Sequence, residues 1–316
     1  MHAAGLRFGG ASGIGHAAKL RLLEWVEESA LVAARDANGV KIRDGFGMLD
    51  DAVLKLFGEA HYENRIVIFY DVLGWKDRIE RGGRNPHLIA QLKLVVSALG
   101  FDETGGFGVQ ESRLTSFSDN VVVSLPFDIE TLPRVLEGLA KVQLGMAMWG
   151  FFIRGSVTIG EIHHDNRTVF GPALVRAYEL ESRHADIPRI ILDPEVPALK
   201  RYSGLIARDD KFDFLDPFTI SFVDRIRFDV GPEHAIKFLS EQGAKPLPAS
   251  EFVNLPPQIQ LWLVLHYLAE ELRLSPVPKV RAKLEWLYNR IAPRAGIREK
   301  PESFHLEKMI FINKRS

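Results

Sequence analysis

The run Arg65-Ile-Val-Ile-Phe-Tyr-Asp71 constrains this chain more than any other segment. It is short, β-branched and aromatic, and it is bounded by Asn64 before it and Gly74 after it, which is the pattern of a buried strand ending at Asp71. A strand of this kind needs partners on its edges and cover on its faces, so the rest of the chain must supply both.

The segments that follow can do so. His87 to Leu99 reads as a helix, Leu114 to Leu125 as a hairpin with Asp119-Asn120 near its turn, and Ile129 to Met148 as a second helix. Phe151 to Ile162 reads as a strand, His163 to Arg167 as an exposed hairpin loop, and Pro172 to Arg183 as a helix. The order β-α-β-β-α-β-α, with helices packed on a mainly antiparallel sheet, predicts a ferredoxin-like (βαββαβ) α+β core over about Arg65 to Pro194.

Ahead of that core, Ala17 to Ala33 has the spacing of a helix with one apolar face, and a second helix is expected over Met48 to Phe57. Behind it, Pro257 to Leu274 and Lys279 to Ile291 read as helices, the first mostly buried. The expected organisation is a helical N-terminal extension over 1–60, the α+β domain over 61–194, and a mixed, helical C-terminal region over 195–316 packed on it.

Composition narrows the function classes. The 316 residues are 46% hydrophobic and 26% charged, with a net charge of -1, so no overall cationic field draws the chain to nucleic acid. Cysteine is absent, which excludes disulfides and thiolate chemistry. The apolar runs fall short of a membrane span, and a cytoplasmic protein with no membrane or nucleic-acid partner is the expectation.

Gly9-Gly-Ala-Ser-Gly-Ile-Gly15 looks like a dinucleotide-binding loop. That loop needs a preceding strand, and only eight residues come before it. The adjacent histidines of His163-His164-Asp165 point to opposite faces if they are extended, which argues against joint metal binding.

The stronger constellation pairs Ile68-Phe-Tyr-Asp71-Val-Leu-Gly-Trp-Lys76 with Ser116-Phe-Ser-Asp119-Asn-Val-Val-Val123. Adjacent antiparallel strands can bring both carboxylates to one sheet edge, where they repel unless a hard divalent cation such as Mg²⁺ or Mn²⁺ bridges them. Gly74 would let backbone N–H groups face phosphate at a helix N-terminus. Taken singly, each Asp also fits a cap or a turn.

With Phe152-Ile-Arg154-Gly-Ser-Val-Thr-Ile-Gly160 and Val169-Phe-Gly171-Pro-Ala-Leu-Val-Arg-Ala-Tyr-Glu-Leu-Glu181 behind them, these segments resemble class III nucleotidyl cyclases over roughly Arg65 to Glu181. The resemblance implies two Mg²⁺ or Mn²⁺ ions per site on Asp71, Val72 and Asp119. It implies phosphate binding along Val72-Leu73-Gly74-Trp75, attack of a 3′-hydroxyl on the α-phosphate with release of pyrophosphate, and a homodimer with composite sites.

The family's purine-reading positions fall on Thr115 and Thr168, which carry neither the Lys and Asp pair used for adenine nor the Glu and Cys pair used for guanine. The late-helix Asn and Arg positions fall on Val175 and Glu179. Arg154 and Arg176 are then the candidates to neutralise the α-phosphate, with a salt bridge to Glu179 or Glu181 as their structural alternative. Tyr70 or Phe117 could narrow the base pocket for a single ring.

These departures, with Arg154-Gly155 and Gly171-Pro172, look like the bacterial pyrimidine cyclases of the Pycsar antiphage systems. That likeness implies UTP, less so CTP, as substrate and a cyclic-nucleotide-activated effector reached through the product alone. A degenerate cyclase fold that only binds nucleotide or a partner, and a polymerase-like palm domain, are the competing expectations.

Overall fold

The computed structural model describes residues 61–83, 86, 109–197, 204–226, 257–275 and 277–306. Contacts divide the chain into two compact units, 1–60 and 61–316, and the described residues belong to the second. The helices expected over 17–33, 48–57 and 87–99, and the glycine-rich segment at 9–15, lie outside the described residues.

The central strand is β1, Glu63–Val72. A short helix α1, Trp75–Gly82, starts directly after it. Strands β2, Arg113–Phe117, and β3, Asn120–Pro126, form a hairpin, whose two-residue turn holds Ser118 at φ 59°. Helix α2, Leu132–Met148, leads into β4, Ile153–His164.

Both edges of β1 are bonded, with β3 antiparallel on one side and β4 antiparallel on the other. The resulting order β2-β3-β1-β4 is that of a ferredoxin-like βαββαβ sheet, as the sequence predicts.

Burial explains the texture of β1. Ile66, Ile68, Tyr70 and Val72 point into the main core with Leu132, Val135, Leu136 and Leu139 of α2. The alternate residues Val67 and Phe69 point to the other face, where they meet Ala173 and Ala177 of α3, Pro172–His184. A strand covered on both faces reads as a continuous apolar run.

The sheet continues beyond β4. The two-residue β5, Val169–Phe170, pairs with the end of β4, and β6, Ile190–Leu192, pairs with it in parallel. Strands β7, Ile206–Arg208, and β8, Asp213–Leu215, extend the sheet antiparallel through β8 against β6. A short helix α4, Ile220–Val223, follows. Helix α5, Pro257–Leu274, packs against α2 and against α6, Pro278–Ile291. Its Leu261, Val264, Leu265, Leu268 and Leu272 join the main core.

Gly155 is needed where β4 crosses β1. A Cβ there would lie 2.4 Å from the Phe69 carbonyl oxygen and 2.6 Å from Tyr70 Cβ, neither of which can rotate away. Gly155→Ala should cost about 1–3 kcal/mol of stability, as overpacking of a filled core does, and urea unfolding of the variant measures it.

The expected loop at His163–Arg167 is corrected. Strand β4 runs through both histidines because it pairs with β5, and the turn is Asp165 to Thr168, closed by the Asp165 amide donating to the Thr168 carbonyl at 2.9 Å. The two histidines do face opposite ways. His163 meets the His61 carbonyl and Asp165, while His164 is fully buried.

Candidate active site

Strand alternation sorts the candidate residues onto two faces. From the ladder registers, Asp71, Thr115, Phe117, Asn120, Ser124 and Arg154 share one face of the sheet. Tyr70 belongs to the other face and is 2% exposed. The expectation that Tyr70 narrows the base pocket is therefore corrected, since its ring is a core side chain and burial pushes its hydroxyl well above the usual range.

Asp71 and Asp119 converge at one end of this face. Asp71 is the next-to-last residue of β1 and pairs with Asn120, and the Val72 amide donates to the Asp119 carbonyl oxygen at 3.2 Å. Burial, opposed by the Arg154 ion pair and reinforced by the Asp119 carboxyl, pushes the Asp71 carboxyl up to about 6.

Arg154 lies opposite Asp71 in the β1–β4 ladder. Its Nε and Nη2 donate to Asp71 Oδ2 at 2.9 and 2.8 Å. Glu181 Oε1 stands 2.9 Å from the same Nε as an ion pair, without the alignment of a hydrogen bond. Burial raises the Glu181 carboxyl, Arg154 opposes this, and Asp71 adds to it. One guanidinium thus serves two buried carboxylates, and the salt bridge to Glu181 weighed from sequence is present.

Asp71 Oδ1 is buried with no hydrogen-bond partner. An orphaned oxygen beside a second carboxylate, in a set made only of hard oxygens, fits a divalent cation. Among the described residues no cluster of three His, Cys, Asp or Glu ligands occurs, so such an ion would draw on two carboxylates and backbone or substrate oxygens. Asp71, Asp119 and Val72 are the residues placed to hold it.

The segment after Asp71 offers backbone rather than side chains. Val72 and Trp75 are core residues and Leu73 packs against the core. Gly74 caps α1 with φ 76° and ψ 16°, a left-handed conformation that glycine adopts without strain. The turn leads directly from the strand that carries Asp71 into α1, whose first amides have no partner within the helix.

Other expected residues lie elsewhere. Arg176 is bound at both ends of its guanidinium to Asp193, Nε to Oδ2 at 2.8 Å and Nη2 to Oδ1 at 3.1 Å, and this pairing raises its pKa. Asp193 is also bonded to Thr158, which is four residues along β4 from Arg154, or roughly 13 Å. Arg176 is therefore not brought to Asp71, and its partner is neither Glu179 nor Glu181. Glu179 pairs with Arg183 instead.

Thr168 is tied to Asp165 by both its amide and its hydroxyl. Thr115 is half-buried, with its hydroxyl 2.9 Å from His164 Nε2. Sequence reasoning missed His164 as the partner of Thr115 and Asp193 as the partner of Arg176. Only an extended reading of His163-His164 could have flagged the first.

No family model matches the chain, and no curated protein is similar to it in sequence. Solved structures similar to it include the monomeric guanylyl cyclase domain of the RhoGC fusion protein from the aquatic fungus Blastocladiella emersonii, with 13% identity and a TM-score of 0.34 over 50% of this chain and 96% of that one. Another is the catalytic core of a rhodopsin-guanylyl cyclase with converted specificity in complex with ATPalphaS, with 16% identity and a TM-score of 0.34 over 50% of this chain and 95% of that one.

Proposed function

We propose that this protein is a nucleotide cyclase that converts a pyrimidine nucleoside triphosphate, UTP in preference to CTP, to its 3′,5′-cyclic monophosphate and pyrophosphate. The observation that carries this reading is the convergence of Asp71, with its orphaned Oδ1, and Asp119 at the end of a βαββαβ sheet, directly before the Gly74 turn and helix α1.

Mn²⁺ or Mg²⁺, two per site, would supply charge neutralisation of the triphosphate and polarisation of its α-phosphate when bound. Asp71, Asp119 and the Val72 backbone would hold those ions in place. The amides that follow Gly74 orient the phosphate chain. Arg154, which stands beside Asp71 and is shared between Asp71 and Glu181, is the cation among the described residues assigned to meet charge developing on the α-phosphate, by releasing part of that pairing when the triphosphate binds. Arg176 is committed to Asp193 and takes no part in this.

A homodimer belongs to the same proposal. Phe117 is 81% exposed on the candidate face, and Val175 and Tyr178 are 60% and 55% exposed on α3, which covers that side of the sheet. Large apolar side chains left in water on the site's own face support a second copy as their cover. Signalling through the product to an effector, in defence against phage, is the biological role proposed with it.

A second reading, a cyclase fold that binds nucleotide without turning it over, is favoured by one observation. The late-helix positions Val175 and Glu179 offer only an exposed apolar side chain and a carboxylate paired to Arg183. Incubation with Mn²⁺ and each of the four NTPs separates the two. A cyclic pyrimidine nucleotide with equimolar pyrophosphate is expected, and turnover of ATP alone, or of nothing, would rule the main reading out.

A further inference from the structure

The ion pair beside Asp71 is lopsided. Arg154 lies between two buried carboxylates, Asp71 of β1 and Glu181 of α3, yet its Nε and Nη2 both donate to a single oxygen, Asp71 Oδ2. Glu181 is 3% exposed, and its Oε1 stands 2.9 Å from Arg154 Nε without a hydrogen bond. The distance from Nε to Asp71 Oδ2 is the same 2.9 Å. One donor thus has two acceptors at equal range and is aligned on only one of them.

Moving that hydrogen bond needs no shift of the backbone. Asp71 sits in a strand bonded on both edges, and Glu181 lies on the buried face of α3 with Ala177 and Leu180. Both carboxylates are fixed by the core around them, and the arginine, with its long side chain, is the member able to turn. A turn toward Glu181 would satisfy a buried oxygen that is unfavourable as it stands.

The charges supply a reason to turn. Asp71, Asp119, Arg154 and Lys283 of α6 all act electrostatically on Glu181, and Lys283 is paired with Asp186 at 3.7 Å. Asp71 therefore relies on Arg154 for its countercharge. A divalent cation at Asp71 would take over that role and repel a guanidinium whose Nη2 is 2.8 Å from Oδ2. Arg154 then needs another anion within reach, since a buried charge stripped of its partner is strongly destabilising. Glu181 is that anion.

We propose that Glu181 is a positioning residue that takes Arg154 over from Asp71 when Asp71 holds a divalent cation, so that cation and guanidinium occupy the site together. The exchange also frees Arg154 Nη2 from Asp71, as its role at the α-phosphate requires. It rests on the cation site assigned above to Asp71 and Asp119, and adds the residue that keeps the protein's own arginine from closing that site.

Two measurements on the nucleotide-free protein test this. Crystal structures of the wild type grown without and with Mn²⁺ should show Arg154 Nε hydrogen-bonded to Asp71 in the first and to Glu181 in the second. Mn²⁺ affinity, read from the electron paramagnetic resonance of the free ion, should fall by about tenfold in Glu181→Asp, the scale of one hydrogen bond to a charged group. Aspartate keeps the negative charge but withdraws it from Arg154 by one methylene, so a general attraction between Glu181 and the ion would leave the affinity unchanged. In an Arg154→Met background the same substitution should change the affinity by less than about twofold, because two residues that act through each other are not additive.

An arginine that stays on Asp71 beside bound Mn²⁺ overturns the exchange and leaves the cation site standing. So does an equal loss of affinity in both backgrounds, or no loss in either. Mn²⁺ binding that Asp71→Asn does not weaken removes the cation site from Asp71, and the exchange with it. Should Arg154→Met fail to fold, the two wild-type structures decide by themselves.

Discussion

Asp71→Asn should lower cyclic nucleotide formation by at least about 100-fold, the scale of losing one preorganised electrostatic contact at a reacting phosphate, while leaving the protein folded. The amide has nearly the shape of the carboxylate, and Arg154 keeps Glu181 as a partner. What disappears is the formal charge beside Asp119. Stabilisation by Mn²⁺ should disappear as well, so that melting temperature no longer rises with the ion. Wild-type rates in Asp71→Asn would rule out a cation held by this residue. Loss of turnover with the Mn²⁺ response intact would assign the ion to other oxygens.

Two buried groups should give the metal-free protein opposing pH dependences that become visible only when they are separated. Asp71 titrates at about 6 in the folded protein against an ordinary value of 3.8. The folded state therefore holds a proton that the unfolded chain has released, and the stability this confers is complete below about pH 4 and lost by about pH 6.

His164 runs the other way, at about 4 against 6.5. The unfolded chain takes up a proton that the buried ring refuses, so stability rises with pH over the same window. Each contribution is about 3 kcal/mol, and in the wild type they largely offset. Urea unfolding at pH 4, 5 and 6 in the presence of a chelator should show stability rising with pH in Asp71→Asn and falling with pH in His164→Gln. Parallel profiles for both variants and the wild type would refute both assignments.

The sequence made some of this legible for physical reasons. A strand buried on two faces, a hairpin with an Asp at its turn and an amphipathic α2 leave unambiguous patterns, and β1 to β4 and α2 lie within a few residues of where those patterns put them. Strands of three residues, such as β6, β7 and β8, leave no pattern, since they are specified by pairing and not by their own periodicity.

At the site, strand alternation already separates Tyr70 from Asp71, because successive residues cannot share a face. The charge partners are another matter. Arg154 meets Asp71 across 83 positions of sequence, and Thr115 meets His164 across 49. Arg176, flanked by acids on its own helix, is claimed by Asp193. Contacts of that range are settled by the register of the sheet, and no local window contains them.

The pairing of β6 with both β4 and β8 bears on how this protein can be divided. A chain ended after Pro194 would leave β6 with an open edge, a template for pairing with other molecules. It would also uncover the side of α2 on which α5 packs. The C-terminal residues thus protect the central sheet from self-association, and a fragment cut to the βαββαβ motif alone would trade solubility for brevity.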